Sequence, residues 1–122
     1  MTGLVEGALT QPLDIVLSTE RLNVIEEISA NERTMVVQAG VMLQSVQEAA
    51  ANEGLMFPLD LGSRGSCTLG GNLSTNAGRH RVIRYGIARD MVLGLQAVMA
   101  DGTVISRTPR MCKNNAGYGL QH

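Results

Sequence analysis

The sequence predicts an α+β fold in which a small, mainly antiparallel sheet carries packed helices. Residues 34–39 are rich in strand-forming side chains, and a later Asp-Gly pair stands between two further β-rich runs. One stretch between them places apolar residues at helical spacing. The 122 residues are 44% hydrophobic and 17% charged, which is typical of a globular domain and excludes a disordered chain.

Two strands and one weak strand or turn are predicted before the helix. Residues 14–18 (Asp-Ile-Val-Leu-Ser) form a short apolar run after Pro12 and predict a buried strand. Residues 23–28 alternate less regularly and predict a weak strand or a turn. Residues 34–39 end at Gly40 and predict a strand.

A helix is predicted over residues 43–53. Its apolar residues recur at helical spacing: Leu43, Val46, Ala49 and Ala50. Gly54 stands where a left-handed residue commonly ends a helix. Met42 offers no side-chain oxygen to the free N–H groups, so we expect a poorly capped start.

The second half predicts a long loop over 55–68, a short helix over 69–77, and a β-hairpin. The hairpin strands are 92–100 and 103–106, and Asp101-Gly102 between them favours a turn with positive φ at both positions. After Pro109 the chain becomes polar and rich in glycine.

The net charge of −1 hides an acidic half joined to a basic half. Residues 1–60 hold nine acidic and two basic side chains, whereas residues 61–122 hold two acidic and eight basic ones. The basic cluster consists of Arg79, His80, Arg81, Arg84 and Arg89. Salt pairing with the acidic half, a solvated face, and contact with a flavin or substrate anion all stay open for it. We expect no nucleic-acid partner, because Tyr85 is the one aromatic side chain interleaved with these cations and the domain is not basic overall.

Several other classes are excluded or disfavoured. No apolar run is long enough to cross a bilayer and no secretory signal is visible, so we expect no membrane partner and a cytoplasmic protein. Cys67 and Cys112 are too few for a disulfide scaffold, and with His80 and His122 they predict no metal site. Neither the P-loop nor the Rossmann fingerprint occurs. We identify no catalytic residue.

Five of the 14 glycines fall within residues 62–78. Glycines allow backbone N–H groups to approach a ligand, and a loop of this kind running into a helix favours phosphate. The alternative interpretation is a compact surface loop whose residues are small because space is tight. Composition leaves both open.

Spaced motifs then resemble one family. They are Thr2-Gly3-Leu4-Val5, Phe57-Pro58-Leu59-Asp60-Leu61-Gly62, Gly65-Ser66-Cys67, Gly70-Gly71-Asn72, Thr75-Asn76-Ala77-Gly78, Arg84-Tyr85-Gly86 and Ala100-Asp101-Gly102. Together they are similar to the FAD-binding domain of the FAD-linked oxidases of vanillyl-alcohol oxidase type (the PCMH-type domain), nearest the branch of D-lactate, glycolate and D-2-hydroxyglutarate dehydrogenases. The resemblance covers nearly the whole chain.

The resemblance implies non-covalently bound FAD and assigns its contacts. Thr2, Gly3 and Leu4 correspond to the end of a loop that holds the pyrophosphate. The flavin and ribityl contacts correspond to Pro58, Leu59, Asp60, Leu61, Gly62, Ser66, Cys67, Thr68, Gly70, Gly71, Asn72, Thr75, Asn76, Ala77 and Gly78. Glu6 replaces a usual glycine, and its charge opposes a pyrophosphate, so we expect FAD to be bound weakly or not at all.

Compared with the family, the chain resembles a single partial FAD-binding domain cut at both ends, with 1–56 from the first subdomain and 57–122 from the second. The implied function is the FAD-binding portion of an oxidoreductase acting on a 2-hydroxy acid, without catalysis by this chain alone. The alternative is a non-catalytic, self-associating remnant that binds no flavin. For either we expect a homo-oligomer or a companion chain, because uncovered sheet edges and apolar faces favour pairing.

Overall fold

The computed structural model describes residues 2–4, 6–7, 9–78 and 80–107. Arg79, Cys112, His122 and the stretch after Pro109 lie outside the described residues. Chain order gives β1 (Ile25–Ser29), β2 (Thr34–Val37), α1 (Leu43–Asn52), α2 (Leu69–Ser74), α3 (Val82–Tyr85), a 3₁₀ turn (Ala88–Met91), β3 (Leu95–Val98) and β4 (Val104–Arg107).

The α+β class with antiparallel strands is confirmed. The described strands form two separate two-stranded ribbons, β1–β2 and β3–β4, and not a single sheet. The predicted strands at 23–28 and 34–39 pair with each other, with Ile25 opposite Val37 and a bulge between Ile25 and Glu27. Both are shorter or shifted by a few residues relative to the prediction.

The predicted buried strand at 14–18 is wrong. These residues form no strand, and the surrounding apolar side chains are exposed: Leu13 by 95%, Ile15 by 98% and Leu17 by 88%. The backbone makes a turn instead, in which the Asp14 N–H donates to the Gln11 carbonyl at 3.0 Å. An apolar run forms a buried strand only where another strand pairs with it and a surface packs against it. Among the described residues, no strand pairs with residues 14–18 and their apolar side chains stay exposed.

The predicted helix is confirmed as α1. It ends at Asn52, one residue before the expected end, and Gly54 has the expected positive φ of 69°. Leu43, Val46 and Ala50 are buried on one face. Met42 makes no side-chain capping bond, as expected.

The hairpin is confirmed, but its turn differs from the prediction. Met99 N–H donates to the Thr103 carbonyl at 2.8 Å, and Gly102 N–H donates to the Met99 carbonyl at 2.9 Å. The loop therefore has three residues. Gly102 has a positive φ of 85°, whereas Asp101 does not have a positive φ. This arrangement matches a type I turn followed by a left-handed glycine, in place of the two-residue turn.

The core lies between α1, the irregular segment that follows it, and the 3₁₀ turn. Its buried members are Leu43, Leu59, Cys67 and Ala88, against which Phe57, Leu61, Leu73 and Met91 pack. The short helix expected over 69–77 is present as α2 but ends earlier, at Ser74. Helix α3 and the 3₁₀ turn were not predicted. The division into 1–56 and 57–122 stays a prediction.

Within the described part of the chain, no helix has both the length and the apolar character that crossing a membrane requires.

Candidate cofactor site

We call residues 57–78 the candidate segment, because it holds most of the site residues predicted from the sequence. Helix α1 fixes its first part. Leu43 N–H donates to the Cys67 carbonyl and Gln44 N–H to the Arg64 carbonyl, both at 3.0 Å. The first N–H groups of a helix have no partner inside the helix. The candidate segment supplies these partners, which is why α1 begins without a side-chain cap.

The middle of the candidate segment joins the strand-to-helix connection that precedes α1. Leu69 N–H donates to the Val41 carbonyl and Gly70 N–H to the Ala39 carbonyl, both at 2.8 Å. A Cβ atom on Gly70 would lie 2.7 Å from the Ala39 Cβ. Gly70 is therefore required for close backbone approach within the protein.

Three of the predicted cofactor-contacting residues are buried. Leu59 is 2% exposed, Cys67 is 4% exposed and Asn72 is 5% exposed. Leu61 is partly buried against the same cluster. Burial of Leu59 and Cys67 anchors both sides of the intervening loop, so their side chains contribute packing.

The predicted hydroxyl groups bond to the backbone of their own segment. Ser66 Oγ donates to the Ser63 carbonyl at 3.2 Å, and Thr75 Oγ1 donates to the Gly71 carbonyl at 3.0 Å. Thr68 Oγ1 accepts from the Gly71 N–H at 3.4 Å and caps α2. Hydroxyls used in this way stabilise the turn and the helix start.

The end of the candidate segment joins the 3₁₀ turn. Asn76 has φ of 48°, and its Oδ1 accepts from the Arg89 N–H at 3.1 Å. The Ala77 carbonyl accepts from the Ala88 N–H at 3.0 Å. A Cβ atom on Gly78 would lie 2.7 Å from Val82 Cγ2, so this glycine also permits close packing.

The acidic and basic halves meet at Asp60. Its Oδ1 lies 3.1 Å from Arg64 Nη1, and its Oδ2 lies 3.9 Å from Arg81 Nη2. Salt pairing, one of the interpretations left open for the basic cluster, is thus found for Arg81. Arg84 instead lies over the Tyr85 ring, 5.1 Å from its centroid.

Two shallow depressions adjoin Asp60. One, of about 170 Å³, is lined by α1 and by Met56, Phe57 and Arg81. The other, of about 190 Å³, is lined by Leu61, Gly62 and His80. Asp60 and Arg64 contribute to both, while Pro58 is half-buried between half-buried Phe57 and buried Leu59.

The structure does not bring Thr2, Gly3 and Leu4 to the candidate segment. Leu4 is 84% exposed, and its carbonyl accepts from the Gly7 N–H at 3.2 Å in a local turn. Among the described residues, no hydrogen bond joins this turn to residues 57–78. Glu6 has φ of 59° in the same turn.

One end of the Asn72 side-chain amide has no hydrogen-bond partner among the described residues. Its Nδ2 donates weakly to Cys67 Sγ at 3.5 Å, and no partner for its Oδ1 occurs among the described residues. If the amide were rotated by 180°, the other end would be left in the same state. A buried polar atom without a partner costs about 1–3 kcal/mol, so it points to a ligand group or water at this position.

Gln47 was missed by the sequence reasoning. Its Nε2 donates to the Leu59 carbonyl at 2.7 Å in a part-buried contact, which ties α1 to the candidate segment. The signal was present, because Gln47 lies four residues after Leu43 and so shares the core-facing side of the helix. No group of three or more potential metal ligands occurs among the residues that the structure describes.

Comparisons with known proteins agree with this architecture. A family model described as "FAD binding domain" matches residues 1–107. A D-2-hydroxyglutarate dehydrogenase from Xanthomonas citri pv. viticola is 46% identical over 121 residues, which are 99% of this chain and 26% of the relative. A D-lactate dehydrogenase from Archaeoglobus fulgidus is 42% identical over 99% of this chain and 27% of the relative.

The mitochondrial D-2-hydroxyglutarate dehydrogenase of Bos taurus is 42% identical over 98% of this chain and 22% of the relative. The chain thus spans about a quarter of the length of these relatives. A solved alkyldihydroxyacetonephosphate synthase superposes with a TM-score of 0.70 at 24% identity, covering 84% of this chain and 17% of that one, which supports the fold alone. With its model matched over residues 1–107, the chain belongs to the FAD binding domain family, whose cofactor is FAD.

Proposed function

We propose that this chain is the FAD-binding portion of a flavin-dependent oxidoreductase acting on a 2-hydroxy acid, and that it does not turn over substrate alone. The names of the relatives from Xanthomonas citri and Archaeoglobus fulgidus support the substrate class. The coverage of about a quarter of their length supports a binding role for this portion. The cytoplasmic location stays a prediction, and the bovine relative is mitochondrial.

The described residues fit FAD as one wall of its site. Pockets that enclose even a drug-sized ligand have volumes of about 300–1,000 Å³. The two depressions at Asp60, of about 170 and 190 Å³, are smaller than that. A cofactor as large as FAD would therefore lie across an open surface of this chain, with its other contacts supplied elsewhere.

Asn72 is the observation that carries the proposal. Asn72 is 5% exposed, and one end of its side-chain amide has no hydrogen-bond partner among the described residues. Many of the other predicted contacts use their side chains inside the protein, and several of their backbone N–H groups also donate within it. The Asn72 amide can instead add a directional hydrogen bond to a polar group of the cofactor.

The role of these residues is to bind and orient. When bound, FAD supplies the redox chemistry and accepts the two electrons that leave a 2-hydroxy acid on oxidation. The candidate segment would hold it through the residues assigned by resemblance. Thr2–Leu4 would join the site only if the N-terminal turn approached residues 57–78.

The test is FAD titration of the purified chain, followed by absorbance and thermal shift, with Asn72→Leu as the variant. Leu has a similar volume and no polar group, so thermal stability without FAD should stay equal or rise. FAD affinity should fall about 2- to 10-fold, the effect of losing one hydrogen bond. Leu73→Ala, in the same helix, is the control that lowers stability without removing a polar group.

Activity is assayed in the same samples with 2-hydroxy acids and an artificial electron acceptor. We expect no turnover, and measurable oxidation by the pure chain with FAD would contradict the proposal. If FAD produces neither a bound spectrum nor a thermal shift, the alternative of a self-associating remnant that binds no flavin is favoured instead.

We also propose that a second copy or a companion chain covers the exposed apolar side chains near residues 13–17. Leu13, Ile15 and Leu17 are each at least 88% exposed, which is unusual for apolar side chains so close together in a monomer. Light scattering that shows a monomer at high concentration would contradict self-association.

A further inference from the structure

The beginning of the candidate segment is held on one side by α1. Gln47 Nε2 donates to the Leu59 carbonyl at 2.7 Å, and Leu59 itself is 2% exposed. The bond is part-buried, so water competes with it less than at a surface. It fixes the backbone at the residue just before Asp60.

On the other side, both carboxylate oxygens of Asp60 are engaged by arginines. Oδ1 pairs with Arg64, four residues later, and Oδ2 pairs with Arg81, which lies beyond the candidate segment. The Asp60 side chain is 25% exposed, less than Arg64 at 55% and Arg81 at 46%. Arg81 also donates to Met56 Sδ at 3.6 Å, so it contacts the chain just ahead of the segment.

We propose that Gln47 and Asp60 are positioning residues, which hold residues 58–66 in place through the Leu59 carbonyl and through Arg64 and Arg81. For Asp60 this differs from the direct cofactor contact implied by the resemblance: its Oδ1 accepts a hydrogen bond from Arg64, and its Oδ2 lies 3.9 Å from the Arg81 guanidinium. The inference rests on the proposed function only where it concerns FAD affinity.

Residues 58–66 contain turns whose hydrogen bonds report the order of this loop. Arg64 N–H donates to the Leu61 carbonyl at 3.1 Å, and the N–H groups of Ser66 and Cys67 both donate to the Ser63 carbonyl at 2.8 Å. These three amides lie between the contacts at Leu59 and Asp60 and the start of α2. Their hydrogen exchange therefore reports the order of the loop without any ligand.

The experiment measures amide hydrogen exchange of the whole FAD-free chain by NMR for Gln47→Glu, Asp60→Asn and Arg81→Gln. Gln47→Glu keeps the shape but replaces the donor by a carboxylate. Two controls match the first two variants in chemistry: Gln96→Glu in β3, where the amide donates to Ser106 Oγ at 3.4 Å, and Glu53→Gln, a change from carboxylate to amide at an exposed position.

We expect exchange at Arg64, Ser66 and Cys67 to rise about 2- to 10-fold in Gln47→Glu, and roughly two- to fivefold in Asp60→Asn and Arg81→Gln. The Met99 amide in the β3–β4 hairpin should not change. The double variant Asp60→Asn/Arg81→Gln should raise exchange by less than the product of the two single-variant factors, because the two residues share one contact. Unchanged exchange relative to the controls would overturn the proposal.

FAD titration of the same variants is the second readout. We expect affinity to fall by a similar factor in all three. A loss of affinity in Asp60→Asn without one in Arg81→Gln, and without faster exchange, would show direct contact and overturn the positioning role. If the unmodified chain binds no FAD, the proposed function fails, and exchange alone then decides whether Gln47 and Asp60 hold the loop.

Discussion

Two irregular regions of this chain have similar apolar character but opposite burial. Residues 9–17 include Leu13, Ile15 and Leu17, all at least 88% exposed. Residues 57–67 also lack helix and strand, yet Leu59 is 2% exposed and Cys67 is 4% exposed. Hydrophobic sequence therefore does not decide which of them joins the core.

The difference lies in what their backbones contact. The 57–67 region accepts hydrogen bonds from Leu43, Gln44 and Gln47 of α1, and its last residue is followed by the bridge between Met42 and Thr68. Residues 9–17 make local turn bonds. A loop can bury apolar side chains only when its polar backbone groups also find partners.

The largest test of this comparison is Leu59→Ala against Leu13→Ala. Removing a buried leucine side chain leaves a cavity and should lower the free energy of unfolding by about 2–5 kcal/mol. In the monomeric chain, the same change at Leu13, which is 95% exposed, should stay within about 0.5 kcal/mol. Urea denaturation monitored by far-UV circular dichroism measures both. Equal losses at the two sites would show that residues 9–17 are buried in solution, for instance by another chain.

The second test concerns close approach of the backbone. Gly70→Ala places a Cβ atom 2.7 Å from the Ala39 Cβ and 2.9 Å from the Ala39 carbonyl oxygen, so the backbone must shift. We expect a loss of about 1–3 kcal/mol in the free energy of unfolding. Gly65→Ala is the matched control, because its new Cβ would meet the movable end of Gln44 at 3.2 Å. A control that destabilises as much as Gly70→Ala would contradict the explanation.

The smallest effect on stability is expected at the exposed turn between β3 and β4, which is held by hydrogen bonds to Asp101. The Thr103 backbone N–H and then its hydroxyl bond to Asp101 and lower the pKa of that carboxyl below its ordinary value of 3.8. Because the pKa of Asp101 is lower in the folded protein, its charged carboxylate contributes to the stability of the fold. This contribution is present above the ordinary pKa and is lost as the pH falls through the lowered pKa. NMR titration of the Thr103 amide should show a midpoint below 3.8; Asp101→Asn should abolish it, and a midpoint above 3.8 would contradict the assignment.

The elements that the sequence predicted well are those whose signal is local. Helix α1 follows from Leu43, Val46 and Ala50 on one face together with Gly54 after its end, and the hairpin follows from Asp101-Gly102. The strand at 14–18 failed because pairing depends on a partner elsewhere in the chain. Helix α3 is four residues long, too short for any periodicity to appear.

The candidate site shows the same limit. Composition located the small residues of 62–78 and left open whether they served a ligand or tight packing. Gly70 and Gly78 are explained by packing alone, whereas the buried amide of Asn72 is not. Which way each residue faces depends on contacts with α1 and the 3₁₀ turn, and no pattern within residues 62–78 encodes those contacts.

Leu59 and Cys67 both insert into the same core cluster, so the chain between them forms a closed loop with fixed ends. The entropy of closing such a loop rises only slowly with its length. Insertions between these two anchors should therefore change the outline of the protein surface while leaving the core intact. The loop is a place where evolution can alter the protein surface without redesigning the fold.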